Sequence, residues 1–264
     1  MLYLQHKIYQ TNKVRKMKIA LIQMSSKKGD VVDNLRAMVN FIEQASHEHA
    51  DIIVFPEMSL TGYFTSAKYL PSTLTIESTE VKKIISLSRI HNLTIIFGLA
   101  ETSDSKTYIS QLVAQNGMLS GIYRKHNVIN DETKIFTPGE SLPVFNLGKW
   151  KFGLTICADI DLPELFVKYA EAGCQIVFEC ASPNLYGDRE NRDWKKGYAW
   201  WKNNCIEKIG KYSLYNKIMI AVVTQSGRDI DDDFPGGGYL FSKNDELIAE
   251  TKDYKQEMLL AEIK

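Results

Sequence analysis

Cysteine is scarce in this chain: four in 264 residues, Cys157, Cys174, Cys180 and Cys205, all in the second half, with no C-x-x-C pair. A zinc site is therefore not expected, nor is a disulfide framework, and a reducing cytoplasm is the expected compartment. Long apolar runs are missing as well. No stretch reaches the roughly 18 residues that a membrane helix needs, and the mean hydropathy of −0.22 is what a soluble chain shows. A charge excess is also absent. Thirty-two Lys and Arg balance thirty-two Asp and Glu, so the cationic field that attracts nucleic acid or an anionic membrane is lacking, and the expected ligand is a small molecule. Residues 1–16 have neither the apolar core nor the cleavage site of a signal peptide and read as an N-terminal extension before one domain over 17–264. Gly236-Gly237-Gly238 is not followed by G-K-[ST], which excludes a phosphate loop. The acidic run 228–233 lacks calcium-loop spacing and reads as a solvated loop.

What is present is a chain 44% hydrophobic and 11% aromatic, enough to bury one large core. Residues 17–24, MKIALIQM, form a short apolar run rich in β-branched side chains and predict a buried strand. Asp30 is placed to cap a helix whose stripe is Leu35, Met38, Val39, Ile42 and Ala45. A second buried strand follows at 52–55, so the chain opens with a β-α-β unit. The same α/β alternation continues: a helix over 81–90, a strand over 94–101, a hairpin at Asn116-Gly117 and another turning near Gly148. After a strand at 152–156 comes a helix from Pro163 to Ala172, stopped by Gly173. A strand at 175–180, one or two helices over 194–214, a strand at 218–224 and strands near Tyr239, Leu247 and Met258 complete the pattern. No linker or internal repeat interrupts it.

Three positions stand out chemically. Glu57 ends the apolar run IIVFP, at the C-terminal end of a strand, where α/β sheets commonly place their sites. Cys157 ends GLTIC and leads into ADIDLPEL, so its thiol lies near helix N-terminal amides that lower a cysteine pKa and can hold an oxyanion. Lys125 ends GIYRK beside His126. Alternation turns those two side chains to opposite faces, so only one of them faces a site, and a buried Lys125 needs Glu57 or Glu132 as partner. Taken singly, each has a plainer reading as a solvated loop acid, an inert core thiol or an exposed strand lysine. Cys174, Cys180 and Cys205 read as core residues. Trp194, Tyr198, Trp200 and Trp201 read as helix packing or an interface, with a pocket wall as the alternative.

Together the three resemble the nitrilase, or carbon-nitrogen hydrolase, superfamily and its amidase-like branch, in which Glu, Lys and Cys lie on three segments in that order. FPEMSLTGY matches the glutamate segment, YRKHNVINDETKIFTPGE the lysine segment, and GLTICADIDLPELFVKYAEAGCQIVF the nucleophile segment. The resemblance runs from Met17 almost to the C-terminus and takes in GGGYLFSKNDELIAE. It implies an α/β fold built as a four-layer α-β-β-α sandwich, with Glu57, Lys125 and Cys157 catalytic and Glu132 as the family's second glutamate. Substrate contacts are implied for Ala158, through its amide, and for Asp161 and Tyr63. It further implies a homodimer or larger homo-oligomer, with the aromatic helix near Trp200 as its support here, and a reaction that needs neither metal nor organic cofactor. The implied activity is hydrolysis of a small non-peptide amide or carbamoyl compound through a cysteine thioester. Nitrile hydrolysis is the alternative, although nitrile specialists often carry C-W-E where this chain has Cys157-Ala158-Asp159. A binding module of the same fold is the non-enzymatic alternative, and the lipid-modifying acyltransferase branch carries membrane helices not found here. Many amidases read C-Y-D-x-R-F-P-E, and Asp161 stands where their arginine sits. That removes a contact for a substrate carboxylate, so Asp161 and Glu179 point to a neutral or amine-bearing substrate. Alternatively, Asp161 caps the helix that starts at Pro163.

Overall fold

The computed structural model describes residues 16–264, so all but the last residue of the expected N-terminal extension lies outside the described residues. β1 (Met17–Gln23) leads to α1 (Val31–His47) and β2 (Ile52–Val54), then to α2 (Thr79–Ile90), β3 (Thr94–Ser103), β4 (Lys106–Gln115) and β5 (Met118–Arg124). The second half runs β6 (Phe145–Leu147), β7 (Trp150–Ile156), α3 (Pro163–Glu171), β8 (Ile176–Ala181), α4 (Trp194–Cys205), α5 (Lys211–Asn216) and β9 (Met219–Thr224). It closes with β10 (Ser226–Arg228), β11 (Asp233–Pro235), β12 (Gly238–Phe241), β13 (Leu247–Glu250) and β14 (Glu257–Ile263).

Local chemistry sets most of these boundaries. The Asp30 carboxylate accepts from the Asp33 amide and caps α1, whose Asn34, Met38, Ile42 and Ala45 form one buried stripe. Pro163 opens α3, and Gly173 takes a φ of 80° just past its end. Asn116 and Gly117 both have positive φ between β4 and β5, as the hairpin signal requires. No described helix is long and apolar enough to cross a membrane.

The strands make two six-stranded sheets, ordered β14-β1-β2-β3-β4-β5 and β13-β12-β9-β8-β7-β6. Each contains a parallel trio, β1-β2-β3 in one and β7-β8-β9 in the other. Strand alternation separates the layers. Ile19, Leu21, Ile52 and Val54 of the first sheet share a core with Phe152, Leu154, Ile156 and Phe178 of the second. On the far face of the first sheet, Ala20, Ile22, Ile53 and Ile95 pack against Met38 and Ile42 of α1 and Ile84 of α2. On the far face of the second, Val177, Ile220 and Val222 pack against Phe166 and Tyr169 of α3 and Trp201 and Cys205 of α4. The result is the four-layer α-β-β-α sandwich. Residues 57, 125, 157, 182 and 225 all follow the C-terminal ends of strands β2, β5, β7, β8 and β9, so one rim of the sandwich gathers them.

One expectation changes in part. The acidic run 228–233 is only partly a solvated loop: Arg228, Ile230 and Asp231 are exposed, but its other acids are tied to residues far away in sequence. Asp233 is buried and faces Arg189 at 2.8 Å, Arg228 at 3.3 Å and Arg192 at 3.4 Å. Lys28 is buried against both Asp231 and Asp232, and β10 pairs with β11 across the run. The stretch 194–214 forms two helices, α4 and α5, separated by a π-helical turn at Ile206–Gly210.

Candidate active site

Glu57 sits two residues past Phe55, in a backbone turn that brings Met58 to a φ of 48°. The turn rests on β3 at Gly98, where any Cβ would strike Met58 N and Pro56 O, so only glycine allows that approach. Gly139 plays the same part for the lysine. Its amide donates to Lys125 O at 2.7 Å, and a Cβ there would strike the Arg124 carbonyl. Lys125 is fully buried and its ammonium donates to Glu57 Oε1 at 2.9 Å and Glu132 Oε1 at 2.7 Å. Burial alone would disfavour its charge, but the Glu57 and Glu132 carboxylates outweigh it and hold Lys125 protonated, its pKa raised.

The remaining lone pairs are occupied. Glu57 Oε2 accepts from the Ser182 amide at 2.9 Å, and the Ser182 hydroxyl donates to Glu57 O at 3.1 Å. Glu132 accepts from the Tyr63 hydroxyl at 2.9 Å and from the Ile129 amide at 3.1 Å. Cys157 stands at the end of β7 with a φ of 48°, a strained left-handed conformation for a non-glycine residue that costs about 1–3 kcal/mol and clusters at functional sites. A 3-10 turn, Cys157–Asp161, follows it. Asp159 in that turn is buried and accepts from the Tyr123 hydroxyl at 2.6 Å, the Ile156 amide at 2.9 Å, the Asn127 amide at 2.7 Å and the His126 amide at 3.1 Å. Asn127 Nδ2 donates to Ala158 O at 2.7 Å. The lysine segment and the nucleophile turn are thus tied together by one carboxylate.

Burial, reinforced by Glu132, raises the Glu57 pKa to about 7, while Lys125 and a hydrogen bond with the Cys157 thiol oppose the shift. Burial and the Glu57 charge push the Cys157 thiol up, with Lys125 the opposing influence. The expectation that helix amides would depress this pKa is therefore overturned, because burial and the nearby carboxylates dominate. The resting pair is a neutral thiol beside a carboxylate poised near neutrality, an arrangement suited to proton transfer during attack rather than to a preformed thiolate.

Above this cluster opens a cavity of about 450 Å³, with Lys125, Glu132, Cys157, Ala158, Tyr63 and Ser182 among its lining. Its walls include Asn184, Tyr186, Trp200, Trp201, Asn204 and Asp232, with Asp161 and Lys208. Glu57 lies fully buried behind it. The structure thus brings Glu57, Lys125, Glu132 and Cys157 together, places Tyr63 on Glu132, and sets Ala158 and Asp161 in the cavity. Asp161 does not cap α3. The cap position is Leu162, with no side-chain bond, and Asp161 instead pairs with Lys208. Glu179 does not line the cavity. It is fully buried on the opposite side of β8 from Phe178 and Cys180, and burial raises its pKa well above the ordinary carboxylate range. It therefore cannot select a substrate by contact. His126 stacks on Tyr123 with ring centroids 5.2 Å apart, leaving Lys125 as the member of the pair that faces the cluster. Of the four aromatic residues, Trp200 and Trp201 line the cavity, as the pocket-wall reading has it, and Trp201 also donates to Thr224 Oγ1 at 2.8 Å. Trp194 stacks on Tyr254. Ser182, Asp159 and Lys208 were not singled out by sequence reasoning. Ser182 had a usable signal, since it follows a buried strand just as Glu57 and Cys157 do.

A cysteine, two carboxylates and a lysine at one rim of a four-layer sandwich define the class of protein to which this geometry belongs, the C–N hydrolases of nitrilase fold. The family profile described as carbon-nitrogen hydrolase matches residues 18–264, and the chain belongs to that family. An amidase from Nesterenkonia sp. superposes with a TM-score of 0.80 at 20% identity, covering 94% of this chain and 90% of that one. An (R)-stereoselective amidase from Pseudomonas sp. is 28% identical over 161 residues, which are 61% of this chain and 58% of that protein. A glutamine-dependent NAD(+) synthetase from Acinetobacter baylyi is 26% identical over 255 residues, or 94% of this chain, and the match spans only 44% of the synthetase.

Proposed function

We propose that the protein hydrolyses a small non-peptide amide through a thioester on Cys157. The observation that carries this reading is the convergence of Glu57, Lys125 and Glu132 beside the Cys157 thiol at the floor of a cavity of about 450 Å³. As the amide carbonyl approaches, Glu57 takes the thiol proton and the sulfur attacks the carbonyl carbon. The negative charge that develops on the substrate oxygen is met by the Lys125 ammonium and the Ala158 amide, which opens the turn after Cys157 and has no partner within it. Glu57 returns its proton to the departing nitrogen, and ammonia or an amine leaves. Water then attacks the thioester, Glu57 taking its proton and passing it to the sulfur, and the carboxylic acid is released. Glu132, fixed by Tyr63 and the Ile129 amide, holds Lys125 in line.

The family membership and the amidase relatives support the class of reaction. In a glutamate-to-glutamine variant of the amidase from Nesterenkonia sp. AN1, acrylamide has undergone Michael addition at the active-site cysteine of that protein, and a nucleophilic thiol of this kind is what the proposal assigns to Cys157. The test is ammonia release over a panel of short aliphatic amides, carbamoyl compounds and nitriles, with the Cys157→Ala variant as control. Amide turnover that disappears in Cys157→Ala supports the reading. Nitrile turnover exceeding that of every amide replaces it with the nitrilase alternative, and no turnover of any class leaves a binding module.

A further inference from the structure

The cavity above Cys157 carries four acidic and two basic side chains, Asp131, Glu132, Asp161, Asp232, Lys125 and Lys208. Most are held by other partners. Lys125 is committed to Glu57 and Glu132, Asp232 is bonded by Lys28 and Asn184, and Asp131 pairs with Lys134 at 2.7 Å. Asp161 and Lys208 pair with each other, and their side chains remain 54% and 38% exposed. An ion pair this open contributes little to stability and is readily exchanged for other partners. Nor does Asp161 serve as a helix cap, since α3 starts behind Leu162 without a side-chain cap bond.

The backbone aims Lys208 at the cavity. Trp200, Asn204 and Lys208 recur at four-residue intervals along the face that lines it, while Trp201, Cys205 and Ile209 form the neighbouring buried stripe. Lys208 lies inside the π-helical turn Ile206–Gly210, a conformation that is rare and concentrates at functional sites. The helix beyond it is registered against the nucleophile turn, because the Tyr212 hydroxyl donates to Ile160 O at 3.0 Å, one residue before Asp161. The two charges are therefore set by elements that are fixed to each other.

We infer that the Asp161–Lys208 pair on the cavity wall recognises the ammonium and carboxylate of an amino-acid amide, so that the preferred substrate is zwitterionic. This inference rests on the amidase reading for the reaction but concerns binding, which is measured separately. A carboxylate and an ammonium on one carbon meet Lys208 and Asp161 with both signs matched. An amide bearing a single charge meets one attractive and one repulsive partner, and a neutral amide leaves the pair to itself.

The probes are glutamine and asparagine, the glutamine analogues lacking the amine (4-carbamoylbutanoate) or the carboxylate (4-aminobutanamide), and neutral butyramide. Calorimetric binding to Cys157→Ala separates recognition from turnover. Glutamine or asparagine is expected to bind about tenfold or more tightly than butyramide, the scale of one charge-assisted contact. Adding Asp161→Asn should remove most of that preference while sparing 4-carbamoylbutanoate. Adding Lys208→Gln should remove it while sparing 4-aminobutanamide. Equal binding of both amino-acid amides and butyramide overturns the inference, as does a loss that falls alike on all five ligands. In the intact enzyme, butyramide turnover without any preference for the amino-acid amides keeps the amidase reading and ends this one. Binding of glutamine or asparagine that depends on Asp161 and Lys208, with no ammonia released from any amide, does the reverse.

Discussion

Replacing Glu132 with Gln removes one negative charge from the buried cluster while keeping a side chain of the same shape. The two carboxylate oxygens that accept from Lys125 lie at most about 5.6 Å apart, since their 2.9 and 2.7 Å bonds meet at one nitrogen. Two unit charges at about 5 Å and an effective dielectric constant of about 20 repel by roughly 3 kcal/mol, which corresponds to about 2 pKa units. Part of that remains screened by Lys125, so a shift of about 1–2 units in the Glu57 carboxyl is expected. The direction is downward. Burial and Glu132 both disfavour the ionised form of Glu57 and push its pKa up to about 7, and Glu132→Gln removes the second influence and gives Lys125 over to Glu57. The base form of Glu57 is needed for attack, so kcat/KM is expected to rise with pH through about 7 in the parent. In the variant that limb moves to lower pH, and at pH near 6 the variant retains a larger fraction of its own plateau. The assay is kcat/KM for butyramide from pH 5 to 9, with the alkylation rate of Cys157 by iodoacetamide over the same range as a measure independent of turnover. A limb that moves by less than roughly 0.3 units in both profiles refutes the electrostatic coupling of Glu57 to Glu132.

Lys125→Ala should lower kcat by about two to three orders of magnitude, the usual scale for an oxyanion donor. It should also move the Glu57 limb upward, because Lys125 opposes its raised pKa, and a pH–rate profile that shifts downward instead would contradict the assignment. Asp159→Asn keeps the shape but loses an acceptor among four hydrogen bonds, with an expected cost of about 1–3 kcal/mol. Thermal unfolding should show it as a lowered Tm, and kcat should fall more than KM rises because both Lys125 and Cys157 lose their shared anchor. Gly98→Ala forces a methyl group against the backbone that carries Glu57, at about 1–3 kcal/mol, and denaturant unfolding combined with kcat measurement should show stability and turnover falling together.

Much of the fold could be read because its signals are local. Asp30 and Pro163 sit at the starts of their helices, Gly173 ends one, and the Asn116-Gly117 turn needs no information from elsewhere in the chain. Glu57, Lys125 and Cys157 were legible through the three motifs whose order resembles the carbon-nitrogen hydrolase family, since taken singly each has a plainer reading; Glu57 and Cys157 also follow apolar strands whose C-terminal ends share one rim. The features that escaped depend on residues far apart in sequence. Lys208 reaches Asp161 across 47 positions, and Arg189 reaches Asp233 across 44, with no periodicity linking either pair. Asp161 read equally well as a cap or as a cavity residue, and only the 3-10 turn ending at Leu162 separates those readings. The direction of the Cys157 shift also needed the assembled site. The segment beside the thiol suggests favourable amides, whereas the carboxylates that help raise its pKa come from other segments.

Cys157 is expected to carry the acyl group during turnover. The direct measurement is intact-protein mass spectrometry of the Glu57→Gln variant after incubation with butyramide or an activated butyryl ester, followed by peptide mapping. The ester loads the thiol without the help that amide cleavage needs, and the variant lacks the base that activates water for release. The expected result is a single butyryl addition on the peptide containing Cys157, removable by hydroxylamine and absent from Glu57→Gln/Cys157→Ala. An adduct confined to Cys174, Cys180 or Cys205, or amide hydrolysis by Cys157→Ala at the rate of the unmodified protein, would contradict it.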